Sequence, residues 1–237
     1  MSDQKKTAFV TGGTGFVGSH LVEELLRRGY AEIRCLVRTD PKWLADFDVT
    51  VVRGDLGENT DLESALRDVT HVYHVAGLTR SKDDAEFVRA NVDGTLRLLR
   101  AVETARPDID RVLVTSTLAV VGTCSVPIAT EETPMNPVSG YGRSKAVMER
   151  RMAEVDDAGR SFFDRLPLTV IRPPAVYGPR EQDILTFFKT VNRGLCPIIG
   201  GDEVDLISLV HVDDLVGGMV DAAESRATIG ETYFLGS

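Results

Sequence analysis

The chain has 237 residues, 43% hydrophobic and 27% charged, enough for one large domain with a core of its own. Its net charge of −9, with no block of five like charges, disfavours a nucleic-acid partner, whose phosphates demand a basic face. No run approaches ~18 consecutive apolar residues, and Met1–Lys6 offers no h-region or cleavage site, so neither a membrane span nor a secretory signal is expected.

Strand-like and helix-like runs alternate from the start. Thr7–Thr11 reads as a strand. Phe16–Arg28 reads as a helix, with Val17, Leu21, Val22, Leu25 and Leu26 on one stripe and Gly29 as its C′ residue. Strands follow at Ile33–Val37 and Val49–Val52. Thr60-Asp-Leu-Glu63 has the form of a capping box opening a short helix. His71–Val75 is a further strand, Asp84–Thr104 a long helix, Arg111–Thr115 a strand, Gly140–Val155 a helix and Leu168–Arg172 a strand. Short Val-, Ile- and Leu-rich strands separated by helices predict an α/β fold: a doubly wound parallel Rossmann sheet, covered on both faces.

After Arg172 the texture changes. Pro173, Pro174, Pro179 and Pro197 punctuate loops around a helix near Ile184–Arg193, a strand at Asp205–Val210, a helix at Asp213–Glu224 and a strand at Thr232–Leu235. The expected organisation is a dinucleotide-binding core over residues 1–175 and a small C-terminal substrate-binding lobe over 176–237, with 208–226 packing back on the core. Leu185, Phe187, Phe188, Ile198 and Ile199 suggest either an apolar cavity in that lobe or simple core.

Cys35, Cys124 and Cys196 lie far apart, without a C-x-x-C, and read as small buried thiols of a reducing, cytoplasmic setting. His71 and His74 are three apart in a strand and so point to opposite faces, which argues against a metal site.

The segment Gly12-Gly13-Thr14-Gly15-Phe16-Val17-Gly18 joins the first strand to the first helix and contains both G-x-x-G-x-x-G and G-x-G-x-x-G. The early glycines permit a tight turn close to a pyrophosphate, Gly18 lets the helix approach the sheet, and the helix N-terminus offers N–H groups to the phosphates. An NAD-preferring site usually carries a carboxylate about 20 residues on. Arg38 stands there instead, 20 residues past Gly18. Its charge and fork suit a 2′-phosphate, so NADP is the expected cofactor with NAD as the alternative, although Arg38 could also be a solvated arginine or pair with Asp40.

Tyr141-Gly-Arg-Ser-Lys145 is Y-x-x-x-K at the start of a helix, which puts phenol and ammonium on one face. A neighbouring cation favours phenolate, so Tyr141 is expected to have a lowered pKa and to serve as an acid or base for a carbonyl or alcohol. Thr117, 24 residues earlier, follows a strand end, where hydroxyls face the ligand crevice. Backbone bonding is the other reading for Ser116 and Thr117.

From Thr7 to about Leu235 the chain resembles extended short-chain dehydrogenases/reductases. The likeness rests on the glycine loop, Gly54-Asp55-Leu56, His74-Val-Ala-Gly77, Asn91-Val-Asp-Gly-Thr95, Thr115-Ser-Thr117, Tyr141-x-x-x-Lys145, Arg172-Pro-Pro-Ala-Val-Tyr-Gly-Pro-Arg180 and His211-Val-Asp-Asp-Leu215. The resemblance implies that Asp55 and Leu56 flank an adenine, and that Ala76 and Gly77 let the cofactor pass closely. Thr117 would orient the substrate oxygen, Tyr141 transfer the proton, and Lys145 hold the nicotinamide ribose. Backbone around Pro174, Ala175 and Val176 would meet the nicotinamide amide. Asn91 would lie near the site or serve the structure; Asp213 and Asp214 read as helix caps.

Leu118 stands where dehydratases of this family carry an acid, and Val121 where epimerases commonly carry tyrosine. The pattern is nearer the hydroxysteroid dehydrogenase and dihydroflavonol reductase-like branch. Such enzymes usually continue past the strand that Thr232–Leu235 resembles, so Ser237 reads as an early stop, a truncation or the end of a reduced family member. The resemblance also implies a homodimer through Asp84–Thr104 and Gly140–Val155. The expected function is NADP(H)-dependent interconversion of a small-molecule alcohol and carbonyl. The alternatives are a nucleotide-sugar epimerase holding NAD tightly and a non-catalytic dinucleotide sensor, a class that commonly loses the tyrosine or lysine present here.

Overall fold

The computed structural model describes residues 5–123, 128–194 and 207–236. Seven parallel strands form its main sheet: β1 (Thr7–Thr11), β2 (Glu32–Val37), β3 (Thr50–Arg53), β4 (His71–His74), β5 (Arg111–Thr115), β6 (Leu168–Arg172) and, by register with β6, a strand reached only at Thr232–Phe234. Between them in sequence lie β7 (Ala175–Tyr177) and β8 (Leu209–His211), which pair parallel as a separate ribbon, so the last sheet strand is β9. The sheet order is β3-β2-β1-β4-β5-β6-β9. Chain direction across the sheet reverses between β1 and β4, and that switch point opens a crevice at the carboxyl ends of the strands.

Alternation along each strand feeds two cores. Ala8, Val10, Ile33, Cys35, Val37, Leu113 and Ile171 face helices α1 (Phe16–Arg27) and, counted further on, the one at Val212–Glu224. Phe9, Leu36, Val72, Val112, Val114 and Val170 face the opposite helices. In chain order these are α2 (Leu62–Ala65), α3 (Asp84–Phe87), α4 (Gly94–Ala105), α5 (Gly140–Ala153) and α6 (Phe162–Arg165); α7 (Asp183–Asn192) and α8 (Val212–Glu224) complete the set. Leu215, Val216, Met219 and Val220 of α8 are buried in the same cluster as Leu21, Val22 and Leu25 of α1. The segment after β8 therefore packs on the core.

Gly29 ends α1 as expected. Its φ is +76°, its N–H donates to Leu26 O and that of Tyr30 to Leu25 O, the two bonds of a Schellman motif. His71 and His74 do point apart: the His71 ring meets Tyr30 and Tyr73, whereas His74 lies against Thr95 of α4.

Four expectations are corrected. The capping box at Thr60 is not formed: Asp61 caps α2 by accepting from Ser64 N, while Thr60 Oγ1 accepts from Asp55 N. The long helix over 84–104 is interrupted by a π-helical segment, Val88–Asp93, between α3 and α4. At α8 the N-cap is His211, whose Nδ1 accepts from Asp213 N; Asp213 and Asp214 sit in the first turn, where negative charge meets the positive end of the helix dipole. The strand expected at Asp205–Val210 occupies Leu209–His211 among the described residues. Cys124, Cys196, Ile198, Ile199 and the side chains of Phe187 and Phe188 lie outside the described residues. Among those described, no helix is long and apolar enough to cross a membrane.

Candidate active site

The glycine loop sits at the switch point. Gly12 has φ +79°, and a Cβ there would lie 2.6 Å from Ala76 N, so the loops after β1 and β4 touch backbone to backbone. A Cβ on Gly18 would fall 2.1 Å from Gly12 O, which is why α1 can rise directly out of the loop. Gly15 is the N-cap of α1 and contributes no side chain, and the first turn carries no acid. The N–H groups of that turn, at the positive end of the helix dipole, are thus left for an external anion, and the fit to a dinucleotide pyrophosphate is good. Beneath the loop lies Cys35, whose thiol burial pushes up to about 12, leaving it an inert apolar side chain.

The loop after β4 is braced from below. Thr11 Oγ1 bonds His74 Nδ1 at 2.7 Å, and His74 Nε2 bonds Thr95 Oγ1 at 2.7 Å. Burial lowers the His74 pKa to about 3, so the ring stays neutral as a bridge between two hydroxyls. Above it, Asn91 is fully buried within the π-helical segment. It bonds Leu78 N at 2.7 Å and Leu78 O at 2.9 Å, and its Nδ2 also donates to Ser144 Oγ at 2.9 Å. A bulge of this kind turns one side chain out of the helical register, and here it joins the β4 loop to α5.

Thr117, Tyr141 and Lys145 come from β5's end and α5. Thr117 is extended, and its Oγ1 accepts from Ala119 N. Ser139 caps α5 by accepting from Gly142 N at 3.0 Å, which sets Tyr141 in the first turn. The Thr117 hydroxyl neighbours the Tyr141 hydroxyl and acts on it as a hydrogen-bonding group that favours the phenolate. Lys145 is 2% exposed; its Nζ donates to Thr115 O at 2.8 Å. A Cβ at Gly77 would come within 3.4 Å of that Nζ, so the missing side chain leaves the ammonium a face toward the crevice.

The expected lowering of the Tyr141 pKa is not found. Burial raises it, and the bond with Thr117 only partly opposes that rise. The Lys145 ammonium is drawn to the Thr115 carbonyl, and burial lowers its own pKa to about 8, offset in part by Glu149.

The other expected residues lie along the strand ends. Arg38, exposed, follows β2. Asp55 is exposed and accepts from Gly57 N through Oδ1; Leu56 packs partly buried under α4. Pro174 to Val176 lead into β7, and Pro173 O accepts from Leu118 N at 2.8 Å, which ties the ends of β5 and β6. The structure therefore gathers Gly12–Gly18, Ala76, Gly77, Thr117, Tyr141 and Lys145 about the crevice, with Arg38 and Asp55 at its far end. Sequence reasoning missed the buried pair Glu149–Arg172 with Ser116. The available signal was spacing: Glu149 continues the Tyr141, Lys145 series by four.

A family model described as the NAD dependent epimerase/dehydratase family matches residues 8–236. The chain belongs to this family of extended short-chain dehydrogenases/reductases. The chain is 30% identical to a human sterol-4-alpha-carboxylate 3-dehydrogenase, decarboxylating, over 98% of its own length and 62% of that protein. It is 31% identical to a ceramide reductase of Caulobacter vibrioides, over 92% of this chain and 61% of that one. The chain thus spans about six tenths of these family members. Among solved structures, MoeE5 in complex with UDP-glucose and NAD superposes with a TM-score of 0.80 at 29% identity, covering 98% of this chain and 76% of MoeE5.

Proposed function

We propose that the site reversibly converts an alcohol to a carbonyl with NADP(H). The observation that carries this reading is the placement of Lys145, whose Nζ donates to Thr115 O at the end of β5 and faces the side-chain-free Gly77, one helical turn from Tyr141, itself a neighbour of Thr117. When bound, the nicotinamide accepts or supplies a hydride. Thr117 holds the substrate oxygen, and Tyr141 gives the proton to a carbonyl or takes it from an alcohol. Lys145 supplies positive charge to the ribose and to that proton transfer. The first turn of α1 would hold the pyrophosphate, Asp55 and Leu56 the adenine, and backbone at Pro174, Ala175 and Val176 the nicotinamide amide.

A preference for NADP is supported by charge at the end of β2. Arg38 stands there, and Arg53 lies on the adjacent strand, where Val37 and Arg53 are register partners, with its guanidinium bonded to Thr39 O. Two arginines at this edge favour a 2′-phosphate over a bare ribose. Residues 1–175 form the cofactor part of this reading and 176–237 the substrate part, except that α8 packs back on the cofactor core and β9 joins its sheet; two copies pair through the helices over 84–104 and 140–155. An apolar substrate is supported by Ile207 and Leu185, 75% and 43% exposed on the segments flanking the β7–β8 ribbon. The names of the sterol and ceramide enzymes point the same way.

The second reading, a nucleotide-sugar epimerase with resident NAD, is favoured by the ligands of MoeE5. One experiment separates the two. The purified protein is denatured, the supernatant is assayed for nicotinamide dinucleotide by mass spectrometry, and native protein is offered lipophilic ketones with NADPH or NADH. NADPH-dependent reduction by protein that releases no cofactor supports the first reading. Stoichiometric released NAD with no consumption of added cofactor replaces it with the second.

A further inference from the structure

Behind Lys145 lies a charge pair that the proposed chemistry does not use. Glu149 and Arg172 have side chains only 6% and 5% exposed. Arg172 Nη2 meets Glu149 Oε2 at 2.6 Å, and Nε meets both carboxylate oxygens, at 3.1 and 3.2 Å. Ser116 Oγ donates to Glu149 Oε1. Arg172 also reaches Glu131 O at 3.3 Å and stacks on the Phe234 ring, 5.9 Å from its centroid. A buried ion pair gives little net stability over an apolar replacement, because desolvation consumes most of its attraction. Stability is thus a weak reason for this one.

Its position supplies a better reason. Tyr141, Lys145 and Glu149 are spaced by four on α5, so all three project from one face of that helix. Ser116 is the residue before Thr117, and Arg172 the residue before Pro173–Pro174, which opens the segment expected under the nicotinamide. One carboxylate therefore touches the ends of β5 and β6 and lies one turn from the lysine. We infer that Glu149 is a positioning residue: it is the buried counter-charge that keeps Lys145 an ammonium, and through Ser116 and Arg172 it fixes the ends of β5 and β6 relative to α5. The charged and titratable groups around Lys145 are Tyr141 and Glu149 on its own helix, His74 on β4 and Arg172 on β6. His74 is neutral, Tyr141 is a phenol and Arg172 is a cation, so Glu149 is the carboxylate of the set. The partial offset by Glu149 of the burial effect on Lys145 agrees.

This inference rests on the reading of Lys145 as the cation of the site, and its test has a readout apart from turnover. The ¹³Cε resonance of Lys145, assigned by its loss in Lys145→Arg, is titrated in the wild type and in Glu149→Gln. Glutamine keeps the shape and can still accept from Ser116 and Arg172. The expected result is a midpoint lower by about one pH unit or more. Simple loosening of the fold would hydrate the lysine and move its midpoint up, so the direction discriminates. An unmoved or raised midpoint overturns the inference. If the glutamine variant does not fold, Glu149→Asp keeps the charge but retracts it, and a smaller downward shift is expected; no shift there overturns the inference equally. The alkaline limb of the rate profile is measured in parallel. If the resonance moves and the limb does not, Glu149 holds the charge as inferred, and the catalytic reading of Lys145 is what fails.

Discussion

Asn91 and Leu78 exchange two hydrogen bonds: the Leu78 N–H donates to Asn91 Oδ1 at 2.7 Å, and Asn91 Nδ2 donates back to the Leu78 carbonyl at 2.9 Å. An amide side chain thus pairs with the backbone as a neighbouring strand would, just beyond Ala76 and Gly77. Asn91→Ala removes both bonds and leaves buried partners, which should cost about 2–4 kcal/mol. It should also weaken dinucleotide binding, since the loop against the glycine turn is then free to move. Urea unfolding and calorimetry check this. Wild-type values in both would show that the pairing does not hold the loop.

Tyr141→Phe keeps the ring and deletes the titrating oxygen. It should lower turnover by ~10²–10⁴-fold with cofactor affinity within a few-fold. Thr117→Ala should also slow the reaction, and Thr117→Ser should largely restore it. In the free protein the Tyr141 phenol should ionise above the usual tyrosine range, because burial outweighs the bond with Thr117. The difference in phenolate absorbance between wild type and Tyr141→Phe measures that midpoint. Full activity in the phenylalanine variant, with a primary isotope effect showing hydride transfer to be limiting, removes Tyr141 from the mechanism.

Arg38→Ala should weaken NADPH more than NADH, by ~1.5–3 kcal/mol for a charge-assisted contact to phosphate. Equal losses measured by calorimetry with both cofactors would place the 2′-phosphate elsewhere.

His71 and His74 are neutral at pH 7, because burial lowers their pKa values to about 4 and about 3 from an ordinary 6.5. A depressed folded-state pKa contributes stability that is present above the unfolded pKa and lost as pH falls toward the folded one. The unfolded chain binds more protons across that window. Between pH 7 and pH 5 each histidine should remove about 2 kcal/mol of stability. His71→Gln should be less stable at pH 7 yet lose about 2 kcal/mol less over the same interval. Parallel slopes for variant and wild type in urea unfolding at the two pH values would contradict the assignment.

The alternating pattern, the glycine loop and the Tyr141–Lys145 spacing were legible because each depends on local geometry: a period, a turn, one helical face. What escaped depends on chain segments far apart in sequence. Nothing near Asn91 announces that it will be turned out by a π-helical segment to meet Leu78. The lowered tyrosine pKa was inferred from a neighbouring cation, and burial, a property of the whole fold, reversed its sign. The missed helix cap at Asp61 has a similar cause. Thr60 was a fair candidate by spacing, but its hydroxyl is taken by Asp55 N, from the turn that follows β3. Glu149 shows the intermediate case: its register with Lys145 can be counted, whereas Arg172 and Ser116 reach it only once β5 and β6 lie side by side.

The placement of β9 bears on how the chain is made. β6 is complete at Arg172, yet its outer neighbour does not exist until Thr232–Phe234 has been synthesised, and the pairing runs Val170 to Thr232, Ile171 to Tyr233 and Arg172 to Phe234. Throughout that interval on the ribosome, one side of β6 is a bare ladder of amides and carbonyls beside an apolar surface, open to capture by a strand from another nascent chain. The arginine at its end is meanwhile without the ring it later stacks on. Yield of folded protein should therefore respond to translation speed through this interval and to the chaperones that shield open sheet edges.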